Sequence, residues 1–172
     1  MKTKNLLQRQ ANVSQKTNSL KKKKEDIRNQ ILKKVKYYRN SKGIIFFDNP
    51  NNQFHENIII DNNEIEVLLI RLNRSIKILI TTKFIYFIDK KLITKILGQD
   101  IDRFDYMEFI NGEKIIEGKS RIKIMQLRFK MNFRIGKYRI VKKNGSFTEL
   151  IIWKTRFADC LNDCVKKLKF VG

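Results

Sequence analysis

The sequence predicts a mostly β protein with helices (α+β). About seven antiparallel strands are closed by a C-terminal amphipathic helix and preceded by a basic N-terminal helix. Three observations predict it. From Ile58 onward, short apolar runs are separated by Asn, Asp and Gly turns with no helical period between them, the pattern of hairpins. The stretch Arg121–Ile135 alternates by twos, with Leu127, Phe129, Met131, Phe133 and Ile135 in one phase and Gln126, Arg128, Lys130, Asn132 and Arg134 in the other. Such alternation fits a strand with one face in a core and one in water. After Thr155 the period changes: Phe157, Cys160, Leu161, Cys164, Val165 and Leu168 recur at three and four, which makes one helical stripe.

Taken in order, Met1–Ser19 is polar and aperiodic and is read as disordered or ordered only on binding. Leu20–Arg39 reads as a helix, because Ile27, Ile31, Val35 and Tyr38 form one apolar stripe among lysines. Such a helix can dock its stripe on a core, lie on an anionic membrane or sit on nucleic acid. Ile44–Phe47 is a short strand candidate, followed by a turn around Pro50. The strands then expected are Ile58–Ile60, Ile65–Leu72, Ile76–Thr81, Phe84–Ile88, Leu92–Leu97 and Phe104–Ile110. Asn111-Gly112 turns the chain into the long strand, whose phase slips at Met125-Gln126 as a β-bulge would make it do. Asn144-Gly145 leads into the last strand, Phe147–Trp153, and Thr155 is the expected N-cap of the closing helix.

The chain of 172 residues reads as one domain, 43–172, with a basic arm, 1–42. No apolar run reaches the length of a membrane span, and the basic N-terminus lacks the apolar core of a signal peptide. A cytoplasmic location is expected, with attachment to the inner membrane face as a variant. Cys160 and Cys164 lie four apart in a helical pattern and are expected to be free thiols. His55, the single histidine, is expected to be a surface residue.

Charge is the strongest functional signal. The 38 Lys/Arg face only 17 acids. Residues 1–42 hold 14 of the bases and two acids, and Arg121–Lys143 holds nine bases and no acid. Concentrated charge of one sign attracts polyanions. The candidates are Lys21, Lys22, Lys23 and Lys24 in the arm, and Arg128, Lys130, Arg134, Lys137, Arg139, Lys142 and Lys143, read together as one basic face. On a membrane or acidic protein they would act by charge, and on RNA or DNA by phosphate contacts. A solvated face that keeps a sheet from aggregating is the bland alternative.

The segment Ile78-Leu79-Ile80-Thr81-Thr82-Lys83-Phe84-Ile85-Tyr86-Phe87 resembles the Thr-Thr hairpin of bacterial pleckstrin-homology-like (PH-like) domains, GRAM-like members included. The ending, Leu150–Trp153 into Phe157–Leu161, resembles the same superfold, in which a bent sheet forms an open barrel and a final helix plugs one end. The resemblance covers residues 57–170. It implies a seven-stranded PH-like barrel and a non-enzymatic binding or adaptor module without a cofactor. The basic cluster that phosphoinositide-binding members carry on the first hairpin would fall at Arg71, Arg74 and Lys77, which makes these the lipid-headgroup candidates.

One catalytic alternative rests on Ile115-Ile116-Glu117-Gly118-Lys119, which is similar to the Glu-x-Lys strand of PD-(D/E)xK nucleases, with Asp105 as a second metal carboxylate. Asp105 and Glu117 would hold Mg²⁺ and Lys119 would orient the water. Gly118 weakens a central strand, and the long strand follows where those nucleases place a helix.

Overall fold

The computed structural model describes residues 22–48, 58, 60, 61, 64–90, 92–109, 136–152 and 154–170. The expected strand Arg121–Ile135, the polar arm before Lys22, the Pro50 and Asn111-Gly112 turns and His55 lie outside these residues. A helix, α1, runs over 22–35 and tightens into a 3-10 turn at Lys36–Tyr38. The strands are β1 (Ile44–Phe46), β2 (Glu66–Arg71), β3 (Ile76–Thr81), β4 (Phe84–Asp89), β5 (Leu92–Leu97), β6 (Ile101–Phe109), β7 (Gly136–Lys142) and β8 (Phe147–Ile152), followed by helix α2 (Thr155–Leu168).

The strands form two antiparallel sheets in sequence order, β1-β2-β3-β4-β5 and β6-β7-β8. The count is thus eight among the described residues rather than seven. They form two sheets, linked by a 3-10 turn at Gly98–Asp100. The chain turns this corner closely. Gly98 donates its N–H to the Lys83 carbonyl at 2.8 Å. A Cβ at Gly98 would stand 2.8 Å from the Leu168 Cβ, so glycine lets β5 and the end of α2 approach.

One apolar core takes residues from both sheets and both helices. Ile70, Ile78, Ile80, Ile85, Ile96, Ile140 and Ile152 come from strands, Ile31 and Val35 from α1, and Phe157, Leu161, Val165 and Leu168 from α2. The apolar stripe of α1 is therefore spent on the domain core. Ile31 and Val35 are fully buried and Ile27 packs beside them. Cys160 and Cys164 are buried and free in the same core. Their mutual hydrogen bond, followed by burial, pushes the Cys164 thiol well above its usual range. A second, smaller cluster lies on the opposite face of the first sheet, where Phe47, Ile58 and Ile60 pack on Leu69, Leu79, Tyr86 and Ile88.

Three expectations need correction. Ile58 and Ile60 are half-buried partners of that second cluster but belong to no strand. An apolar run needs a free sheet edge as well as burial to become a strand. Strand β6 begins at Ile101 rather than Phe104, because Ile101 already pairs with Lys142. The N-cap of α2 is Lys154, without a side-chain cap, and Thr155 is the first helical residue. Turns form at Asn73-Arg74 and at Asn144-Gly145. Asn73 Oδ1 accepts from the N–H groups of Ser75 and Ile76, both at 2.7 Å, and Gly145 takes a φ of +82° beside Asn144.

Candidate functional site

Docking of α1 by its apolar stripe turns its polar side outward. Lys22, Lys23, Lys33, Lys34 and Lys36 are exposed there, and Lys24 is half-buried. The cations near this helix divide by role. Arg28 donates to the Phe47 and Asp48 carbonyls, Arg39 pairs with the Asp48 carboxylate, and Lys34 reaches Asp163 on α2 at 3.7 Å. These three tie the helix to its neighbours. Among the described residues, no acid stands at ion-pair distance from Lys22, Lys23, Lys33 or Lys36. Lys21 lies outside the described residues.

The second candidate region is different from its expected form. Lys137 and Arg139 project from β7 onto the outer face, since the alternating Gly136, Tyr138 and Ile140 are buried. On that face β8 presents Glu149, which accepts from Arg139 at 2.8 and 2.6 Å and from Lys137 at 3.3 Å. The Arg139 hydrogen bond is the main cause that holds the Glu149 carboxyl below its ordinary range. Alongside, Arg103 on β6 pairs with Asp102 at 2.7 Å and Asp105 at 2.8 Å. The described part of this face is thus a lattice of compensated charges. Lys143 is exposed and Lys142 half-buried at the following turn. Arg128, Lys130 and Arg134 lie outside the described residues. Grouping them with Lys137 and Arg139 does not follow from a period of two. The first three are even-numbered and the last two odd, and it is the even positions of β7 that are buried.

The lipid-headgroup candidates do come together. Arg71 on β2 is the direct cross-strand partner of Lys77 on β3, and Arg74 is exposed in the turn between. The nuclease set is not assembled among the described residues. Asp105 is engaged by Arg103. No group of three His, Cys, Asp or Glu there could hold a metal, and Glu117 and Lys119 lie outside.

Sequence reasoning missed two features. The first is a buried carboxylate. Glu64 sits with its side chain fully enclosed and accepts from Tyr86 Oη at 2.5 Å, Thr81 Oγ1 at 2.6 Å and the Asp61 N–H at 3.0 Å. Thr82 Oγ1 beside it accepts the Ile65 N–H at 2.9 Å. The Thr-Thr pair that suggested the hairpin therefore pins the lead into β2. Burial first, then the Glu64 hydrogen bond, pushes the Tyr86 phenol far above its usual value. The Lys95 ammonium lies 3.8 Å from Glu64 and 3.7 Å from the Phe84 ring centroid. One acid next to Asp61-Asn62-Asn63 carries no sequence signal of burial, because its partners lie 17 and 22 residues away.

The second is a set of exposed aromatic rings with cations over them. Tyr37 is 74% exposed with Lys36 Nζ 5.1 Å from its centroid. Phe147, about half exposed, has the Arg139 guanidinium at 4.3 Å. Exposed Phe170 has Lys169 at 5.3 Å. No helix among the described residues is long and apolar enough to cross a membrane. In comparisons with protein-family models, curated proteins and solved structures, nothing matches this chain.

Proposed function

We propose that the chain is a non-catalytic binding or adaptor module on a PH-like frame, holding an anionic partner, either an anionic membrane surface or an acidic protein. The observation that carries this reading is the orientation of α1. Its apolar side is committed to the core, so Lys22, Lys23, Lys33 and Lys36 form an outward row, interrupted by exposed Glu25 and Asp26. The frame is supported by consecutive antiparallel strands closed by an amphipathic helix that packs on their core. On a membrane the row acts by charge, each cation near the surface contributing about 1 kcal/mol. The paired cations Arg71 and Lys77 with Arg74 offer a headgroup contact.

A second reading, RNA or DNA, is favoured by the exposed Tyr37 ring next to Lys36, the pairing that stacks on bases while it neutralises phosphates. Both readings are tested by titrating the purified protein with phosphatidylglycerol vesicles, an acidic peptide and single-stranded RNA at rising salt. Binding to at least one of them should weaken linearly in log salt. Reversal of Lys22, Lys23, Lys33 and Lys36 to Glu should abolish it. Absence of binding to all three at low salt overturns the proposal.

A further inference from the structure

We infer that the junction of α1 and α2 is a stacking platform for one unpaired base of a single-stranded nucleic acid, with Tyr37 as the platform and Lys33, Lys36 and Arg156 as phosphate contacts. This rests on the RNA or DNA reading above and locates its contact. Tyr37 has the features of a contact residue. It is 74% exposed, so the fold gains little from its ring. Its backbone is nevertheless held on both sides. Arg156 Nη2 donates to the Tyr37 carbonyl at 3.1 Å, and the next residue, Tyr38, donates its hydroxyl to Asp163 at 3.3 Å. A residue whose backbone is already held has only its side-chain freedom to lose when a planar partner lands on its ring.

The surroundings suit a nucleotide. The Lys36 ammonium occupies one side of the ring at 5.1 Å from its centroid, and the large exposure leaves the rest of the ring to solvent. Lys33 lies in the last turn of α1, four residues before Tyr37 in the 3-10 turn that continues it. Lys33, Lys36 and Arg156 are all exposed, and no acid among the described residues stands at ion-pair distance from them. Arg156 spends one N–H on the Tyr37 carbonyl and carries five, so it can grip a phosphate as well. Asp163 nearby is engaged by Lys34, and exposed Asp159 bounds the patch on the α2 side.

Other anionic partners fit less well. The exposed positions of α1 are Lys, Glu, Asp, Asn and Gln, with no aliphatic side chain to enter a bilayer. An acidic peptide would use the cations and leave the ring unused, whereas every base offers a π face.

The test is fluorescence anisotropy on the full chain with labelled oligouridine, with inorganic polyphosphate as competitor and phosphatidylglycerol vesicles in parallel. Tyr37→Ala should weaken oligouridine binding about tenfold or more, Tyr37→Phe should leave it within about twofold, and neither should change competition by polyphosphate. If the wild type binds oligouridine and Tyr37→Ala binds it equally, the platform is refuted while the polyanion reading stands. If Tyr37→Ala lowers vesicle binding and spares oligouridine, the ring is a membrane contact and the platform is again refuted. If the wild type binds neither oligouridine nor polyphosphate nor vesicles at low salt, the polyanion reading itself fails.

Discussion

Tyr86→Phe tests whether the buried Glu64 network holds the first sheet together. The substitution removes one oxygen and leaves the ring in place on the outer face of β4. The lost contact is the 2.5 Å bond from the phenol to Glu64 Oε1. A hydrogen bond to a charged group contributes about 1.5–3 kcal/mol. Here the carboxylate keeps Thr81 Oγ1 and the Asp61 N–H, so the cost should fall near the middle of that range, about 2 kcal/mol. Lys95 can compensate only weakly, since its side chain is 41% exposed and such pairs contribute about 0–1 kcal/mol. Urea unfolding of wild type, Tyr86→Phe, Glu64→Gln and the double variant gives the coupling directly. The midpoint should fall with an unchanged m-value, and the two substitutions should be non-additive by about 1–2 kcal/mol. A Tyr86→Phe chain within about 0.5 kcal/mol of wild type, the range of surface substitutions, would refute the reasoning.

Ile31→Ala should cost about 2–5 kcal/mol by urea unfolding, because Ile31 is fully buried where α1 meets the core; a surface-anchoring helix would lose lipid binding and no stability. Gly98→Val should destabilise by about 1–3 kcal/mol, since its Cβ would stand 2.8 Å from the Leu168 Cβ and 3.2 Å from the Lys83 carbonyl; circular-dichroism melting checks this. Burial first, and then the Asp159 charge, pushes the Tyr138 phenol up to about 12, and Tyr38 and Tyr86 are raised as well. A raised phenol keeps its proton longer in the folded chain than in the unfolded one. Its stabilisation is therefore complete below pH about 10 and is lost as the pH climbs toward about 12; urea midpoints over that window should decline while phenolate absorbance lags behind that of the unfolded chain.

The hairpins were legible because their signals are local. The bounds of β3 and β5 match the apolar runs Ile76–Thr81 and Leu92–Leu97, each bracketed by turn formers. The stripe of α2 was legible for the same reason. Ile58 and Ile60 misled because burial and pairing are separate conditions, and only burial is written in an apolar run. Glu64 was hidden because its donors arrive through the β3-β4 hairpin. On the outer face the pairing of Lys137 and Arg139 with Glu149 was hidden, because that one acid is placed opposite Arg139 by register alone. Neighbouring sequence cannot display a compensation made across strands. Tyr37 stands beside the stripe residue Tyr38, and only the docked helix shows which of the two faces water.

The order of the strands has a consequence for how the chain is made. Among the described strands each sheet pairs only neighbours in the order β1 through β5 and then β6 through β8, so the short hairpins β2-β3, β3-β4, β4-β5 and β7-β8 can zip as synthesis proceeds. The core cannot be completed on that schedule. Phe157, Leu161, Val165 and Leu168 emerge after every strand, yet they belong to the same apolar cluster as Ile31 and Val35. Until α2 leaves the ribosome, the inner faces of the sheets stay uncovered on that side. A nascent chain stalled before Thr155 should therefore hold paired hairpins, expose apolar surface and be the form that chaperones capture.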